Sequence, residues 1–263
     1  MGDQDVCQKA EDLLRGEFRE SILEPFEEAI RRYGLIAPGD AIAVCISGGK
    51  DSMLLAKLMQ LYQPQSPIPF SLRYLIMDPG YHPENRKKVE ENAQRLGIPY
   101  DIFESDIFEV ANKQVKNPCF LCARMRRGHL YSHARDLGCN KIALGHHFDD
   151  VIETTLLAML WGGQLQAMPP ILSATNFEGM SLIRPLYLVR EAAIEAWRDT
   201  CGLQFIRCAC RFTENTESGE HASKRKEAKE LLRRLDEEVP GTSRTLFESL
   251  HNLRAETFPK VMI

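Results

Sequence analysis

Between Ala41 and Cys201 short apolar runs alternate with helical patterns, and that alternation constrains the fold more than any other feature of the chain. Ala41–Ile46, Ser71–Met77, Tyr100–Glu104 and Lys141–Leu144 read as strands. Ser52–Tyr62, Pro83–Leu96, Leu121–Leu137, Val151–Trp161 and Glu191–Cys201 read as helices. Strands separated by helices line up parallel, with helices on both faces, so the expected fold is α/β with a doubly wound parallel sheet. Ahead of it Leu13, Leu14, Phe18, Ile22, Phe26, Ala29, Ile30 and Tyr33 recur at helical spacing up to a break at Pro38-Gly39-Asp40. After Gly162-Gly163 comes a less periodic stretch with Pro169-Pro170, ending near Leu182-Ile183-Arg184-Pro185. The tail from Ser218 to Leu253 is charged and helical.

With 263 residues, 44% of them apolar, the chain can bury one substantial core. No apolar run approaches the roughly eighteen residues of a membrane span, and Met1–Ala10 is polar and acidic where a secretory signal would be basic and then apolar. The expectation is a cytoplasmic protein with no membrane partner. The net charge of −4 gives no global attraction to polyanions, so an anionic partner must be gripped locally. Eight cysteines are too few for a disulfide scaffold. Cys7, Cys45, Cys139 and Cys201 stand singly and read as small buried hydrophobes. Cys119 and Cys122 form a Cys-x-x-Cys pair, and Cys208 and Cys210 a Cys-x-Cys pair.

Ser47-Gly48-Gly49-Lys50-Asp51-Ser52 follows an apolar strand and opens a helix. Backbone N–H groups and a helix N-terminus then surround one concavity, which suits phosphate. Gly48 and Gly49 allow close backbone approach, Ser47 and Ser52 offer hydroxyls, and Lys50 adds positive charge. A carboxylate at Asp51 makes best sense holding Mg²⁺ or capping the helix. The spacing is not that of the Walker loop. Leu144-Gly145-His146-His147-Phe148-Asp149-Asp150 also lies between a strand and a helix, at the same carboxyl edge of the sheet, where ligands of open α/β sheets bind. Capping explains one of its carboxylates but not the two histidines and two acids together.

The hexapeptide resembles the pyrophosphate-loop signature of the N-type ATP pyrophosphatases. That resemblance implies cleavage of ATP between the α and β phosphates, diphosphate resting on the loop and AMP passing to a substrate oxygen. Leu-Gly-His-His-x-Asp-Asp resembles the second nucleotide motif of the tRNA-modifying branch, with Asp150 as acid–base or Mg²⁺-binding group, Gly145 at the nucleotide, and Met77-Asp78 near the adenine by position. Taken in order with Cys119-x-x-Cys122-x-Arg124-x-Arg126-Arg127-Gly128, these motifs resemble the tRNA 2-thiocytidine synthetase family over about residues 20–255. The resemblance implies catalytic roles for Asp51 and Asp150. It also implies an oxygen-sensitive [4Fe–4S] cluster on Cys119, Cys122 and a third thiol, and transfer of sulfur to the 2-position of a cytidine in a tRNA anticodon loop. It divides the chain into a helical segment 1–38, an ATP-binding domain 39–185 carrying the Cys-x-x-Cys insert, and a helical region 186–263 with the third ligand. Cys208-Ala209-Cys210 is one residue shorter than the family's Cys-x-x-Cys; Cys210 is favoured over Cys208 as the third ligand.

Other readings stay open. All four grouped thiols could bind zinc, a thiolated or thio-accepting small substrate could replace tRNA, and a nucleotide-binding redox sensor would need no catalysis. An amide-forming pyrophosphate-loop ligase would need no iron-bound thiolates. The sulfur donor would be a cysteine desulfurase or free sulfide, and a homodimer is left open. Two surfaces compete for RNA. One is Arg124 with Arg127 on one helix face; the other is Lys224-Arg225-Lys226, Lys229, Arg233 and Arg234, interleaved with Glu227, Glu230, Asp236 and Glu237.

Overall fold

The computed structural model describes residues 3–105, 107, 118–206 and 220–257. They form two compact units, Met1–His147 with Pro170–Asn215, and Phe148–Pro169 with Thr216–Ile263. In the first unit helices α1 (Asp3–Arg15) and α2 (Glu24–Tyr33) flank a π-helical turn at Arg19–Leu23. There follow β1 (Ala41–Ile46), α3 (Lys50–Tyr62), β2 (Ser71–Asp78), α4 (Pro83–Arg95), β3 (Asp101–Glu104), α5 (Pro118–Asp136) and β4 (Lys141–Ala143). The chain then leaves for α6 (Phe148–Leu160) of the second unit, returns with β5 (Ile171–Ser173), β6 (Ser181–Ile183) and α7 (Glu191–Cys201), and completes the second unit with α8 (Glu220–Glu238) and α9 (Thr242–Ser249).

The sheet order is β3-β2-β1-β4-β6-β5, parallel except for the edge strand β5. β1 is central and apolar along its length because a strand covered on both faces cannot carry a polar side. Ala43 and Cys45 point into a core with Leu75, Met77, Leu130, Tyr131 and Ala134, whereas the alternating Ile42, Val44 and Ile46 are buried on the other face. From β1 the chain moves outward through β2 and β3, then crosses back to place β4 on the opposite side of β1. The strand order thus reverses between β1 and β4, and the loops at the carboxyl ends of these two strands lie at that switch point, the usual ligand site of such sheets.

Asp40, buried just before β1, fixes this register. Its carboxylate accepts hydrogen bonds from the Ala37 N–H (2.6 Å), Asn140 Nδ2 (2.8 Å) and Lys141 Nζ (2.7 Å), tying the starts of β1 and β4 together. In the second unit Phe148 stacks on Phe247 with centroids 4.5 Å apart, joining α6 to α9. Among the described residues no helix is long and apolar enough to cross a membrane.

Candidate active site

β1 ends at Ile46, and Ser47-Gly48-Gly49 turns the chain into α3. Gly48 has φ +84°, and a Cβ there would run into Val89 and come within 2.8 Å of Ile206 Cδ1, so conformation and space both require glycine. Gly49 is the extended residue before α3 and brings no capping side chain, which leaves the first-turn N–H donors to an anion. The buried Ser52 Oγ accepts from the Ser47 N–H (3.1 Å) and donates to the Gly49 carbonyl (3.0 Å). Ser52 thus staples the loop to the helix rather than offering its hydroxyl outward, while Ser47 Oγ lies 3.2 Å from Ser52 Oγ. Tyr81 donates to the Ser47 carbonyl at 3.1 Å, a contact no motif announced.

Lys50 and Asp51 supply the charge. Lys50 Nζ lies 3.1 Å from Asp51 Oδ1 and donates to Glu191 Oε1 at 3.0 Å. Burial works against the ammonium, but the Asp51 charge and the Glu191 hydrogen bond outweigh it and raise the Lys50 pKa, so the loop carries a permanent cation. Asp51 Oδ1 is buried and accepts no directed hydrogen bond among the described residues. The Lys50 ammonium is the cation that faces it here, and a hard carboxylate oxygen that no directed hydrogen bond holds suits Mg²⁺.

The loop after β4 meets this one directly. A Cβ on Gly145 would lie 2.9 Å from the Asp51 carbonyl carbon and 3.0 Å from the Ser52 nitrogen, so glycine here lets two main chains touch. His147 is buried and brings Nε2 to 3.9 Å from Asp51 Oδ1. The structure therefore joins Ser47–Ser52 with Gly145 and His147. Asp149 and Asp150 open α6 in the second unit, where Arg225 approaches Asp150 Oδ1 at 3.6 Å and Glu153 at 3.8 Å. The Met77 side chain belongs to the core, and the Asp78 carboxylate is occupied by the turn after β2, accepting from the N–H groups of Gly80 (2.8 Å) and Tyr81 (2.7 Å). A cavity of about 700 Å³ opens over the loop, lined by Gly49, Lys50, Asp51, Lys88, Arg198 and Phe205 among others.

α5 begins at Pro118 and so carries Cys119 and Cys122 one turn apart; their thiols, and Cys208 and Cys210 altogether, lie outside the described part. Among the described residues no three His, Cys, Asp or Glu side chains gather as a metal site. Of the single cysteines, Cys45, Cys139 and Cys201 are buried as their apolar surroundings suggested, whereas Cys7 is half-buried and accepts from Lys57 Nζ at 3.2 Å. Burial pushes the Cys45 thiol up to about 12 and the Cys201 thiol up to about 11, which keeps them protonated and poor ligands. Arg124 and Arg127 are both exposed on α5. On α8, by contrast, Arg225 is turned to Asp150 and Glu153, and Arg233 to Glu230 and Glu237.

Sequence reading missed Glu191 and Lys57. Glu191 reaches Lys50 from 141 residues away, and nothing local signals it. Lys57 is buried in α3, donating to Glu11 at 2.6 Å and Gln60 at 2.9 Å; a lone lysine among Met53, Leu54, Leu55, Leu58 and Met59 was the available sign.

Residues 17–211 match the family model of the PP-loop domain. The tRNA-cytidine(32) 2-sulfurtransferase of Idiomarina loihiensis is 39% identical over 86% of this chain and 74% of its own length. Those of Vibrio vulnificus and Neisseria meningitidis are each 37% identical over 86% of this chain, and 72% and 70% of their own lengths. The solved structure of the U34-tRNA thiolase NcsA from Methanococcus maripaludis, with its [4Fe–4S] cluster, superposes with a TM-score of 0.68 at 21% identity, over 91% of this chain and 80% of that one. That likeness is one of fold. Loop, sheet order and sequence agreement over most of the chain lead to one statement: this chain belongs to the tRNA 2-thiocytidine synthetase family of PP-loop ATP pyrophosphatases.

Proposed function

We propose that this chain is an ATP-dependent tRNA sulfurtransferase that adenylates the 2-carbonyl of a cytidine in an anticodon loop, at position 32 as in its named relatives, and replaces the oxygen with sulfur. The observation that carries the reading is the nest at the switch point of the sheet, with an uncapped helix start, a lysine kept charged and a buried carboxylate oxygen that accepts no directed hydrogen bond around one loop.

In this reading the main-chain donors of Gly49–Ser52 and the Lys50 ammonium hold the β and γ phosphates, and so the departing diphosphate. Asp51 Oδ1 would hold Mg²⁺, which when bound neutralises phosphate charge and leaves the α-phosphorus open to attack. Gly145 keeps the second loop close enough to bring His147 Nε2 to 3.9 Å from the Asp51 carboxylate. Asp150 keeps the acid–base or Mg²⁺-binding role that its motif implies. Adenylation turns the base oxygen into part of a good leaving group, so the ring carbon accepts a sulfur nucleophile and AMP departs with the oxygen.

Cys119, Cys122 and Cys210, with Cys208 as the alternative third thiol, would hold a [4Fe–4S] cluster, which when bound offers one open iron for sulfur. This donor set is supported by the burial and raised pKa of Cys45, Cys139 and Cys201, which make those thiols poor ligands and leave the grouped thiols for a cluster. Exposed Arg124 and Arg127 on the same helix would take backbone phosphates and present an unpaired loop base. A cysteine desulfurase or free sulfide would renew the sulfur. Protein purified without air tests the reading. Iron and sulfide in equal amounts, together with 2-thiocytidine formed in added tRNA, are expected; colourless protein with zinc and no thiolated base contradicts it.

A further inference from the structure

Glu191 meets the nucleotide loop from outside every motif. It opens α7, and its side chain and that of Lys50 are mostly buried where they touch, 18% and 16% exposed. Lys50 Nζ is thereby shared between two carboxylates, Glu191 Oε1 at 3.0 Å and Asp51 Oδ1 at 3.1 Å. Glu195 and Asp199, also on α7, line the cavity over the loop; Asp199 is taken by Arg198 in a two-pronged pair of 2.7 and 3.0 Å, whereas Glu191 is in direct contact with Lys50.

We propose that Glu191 is a positioning residue: by sharing the Lys50 ammonium with Asp51 it gives that cation a second carboxylate to hold when Asp51 Oδ1 turns to the Mg²⁺ that accompanies ATP. The inference rests on the reading above that this loop takes Mg²⁺ and ATP. Its physical basis is competition. A mostly buried ammonium must find an anionic partner, and without Glu191 the carboxylate already paired with Lys50 is Asp51, through the oxygen that accepts no directed hydrogen bond. Lysine and Mg²⁺ would then compete for one oxygen.

The test is calorimetric binding of α,β-methylene ATP, which cannot be cleaved between those phosphates, to the full chain over a series of Mg²⁺ concentrations. Glu191→Ala is expected to raise the Mg²⁺ needed for half-maximal binding about tenfold, the scale of one lost hydrogen bond to a charged group. Glu191→Gln, whose amide oxygen still accepts from Lys50 but brings no charge, should fall between wild type and the alanine variant. Thermal melting checks that each variant is folded. If the alanine variant is not, Glu191→Asp replaces it, since its shorter side chain cannot span the contact and should shift the Mg²⁺ dependence in the same direction. An unchanged Mg²⁺ dependence in a folded alanine or aspartate variant overturns the inference. So does an equal loss of affinity at every Mg²⁺ level in all variants including glutamine, which is the signature of a merely structural role. Wild-type protein that takes up no nucleotide at any Mg²⁺ level overturns the underlying reading as well.

Discussion

Gly145 is the residue whose replacement reads out most about the site. A methyl group there would press on the main chain at Asp51 and Ser52, and backbone of a helix start cannot swing aside as a flexible side chain would. Gly145→Ala is therefore expected to cost about 1–3 kcal/mol of stability and to weaken binding of an uncleavable ATP analogue. Thermal unfolding and calorimetry check both, and a variant with unchanged melting and binding would show that the two loops do not need to touch. At this scale the sequence was informative where chemistry is contiguous. Ser47–Ser52 and Gly145 could be picked out because glycines, hydroxyls and charges sit side by side. Ser52 still held a surprise, since only the fold shows its hydroxyl spent on the Gly49 carbonyl. Glu191 could not be found at all, because a pair separated by 141 residues leaves no local pattern.

Among the elements, the long and strongly patterned ones were legible. β1 and α7 span the residues that their patterns outline, and α3, α4, α5 and α6 differ only at their ends, where a helix can begin before its first apolar residue. β5 and β6 were not legible, because three residues are too few to display a period of two and β5 is exposed along its length. What aligns the strands is Asp40. Burial opposes its ionisation, but the hydrogen bonds from Lys141, the Ala37 N–H and Asn140 outweigh burial and hold its carboxyl below the ordinary value of 3.8. A carboxyl lowered on folding stabilises the protein above the unfolded value, and that stabilisation is lost as pH falls through the folded one. Asp40→Asn leaves the buried Lys141 ammonium without its counter-charge and is expected to cost about 3 kcal/mol at neutral pH. The gap between wild type and variant should close as pH drops below 3.8. Urea titrations across acid pH measure it, and a gap that stays constant with pH would contradict the assignment.

For the whole molecule, the proposed reaction needs both the nucleotide loop and the thiols of Cys119, Cys122 and Cys210 or Cys208. The glycine loop was legible as a motif, whereas the division into two units was not, because α6 is sequence-continuous with the β4 loop yet belongs with α8 and α9. If the two chemistries are separable, Cys122→Ala should bind the ATP analogue as wild type does and yet form no 2-thiocytidine. Normal amounts of thiolated base from that variant would remove the thiols from the reaction. The most direct measurement concerns the first half of the reaction. Protein kept from air is supplied with ATP, Mg²⁺, a sulfur source and tRNA, and the nucleotide products are separated. The account predicts AMP and diphosphate in step with 2-thiocytidine, and neither when the tRNA lacks the target cytidine. Release of ADP and phosphate, or thiolation without nucleotide cleavage, would contradict it.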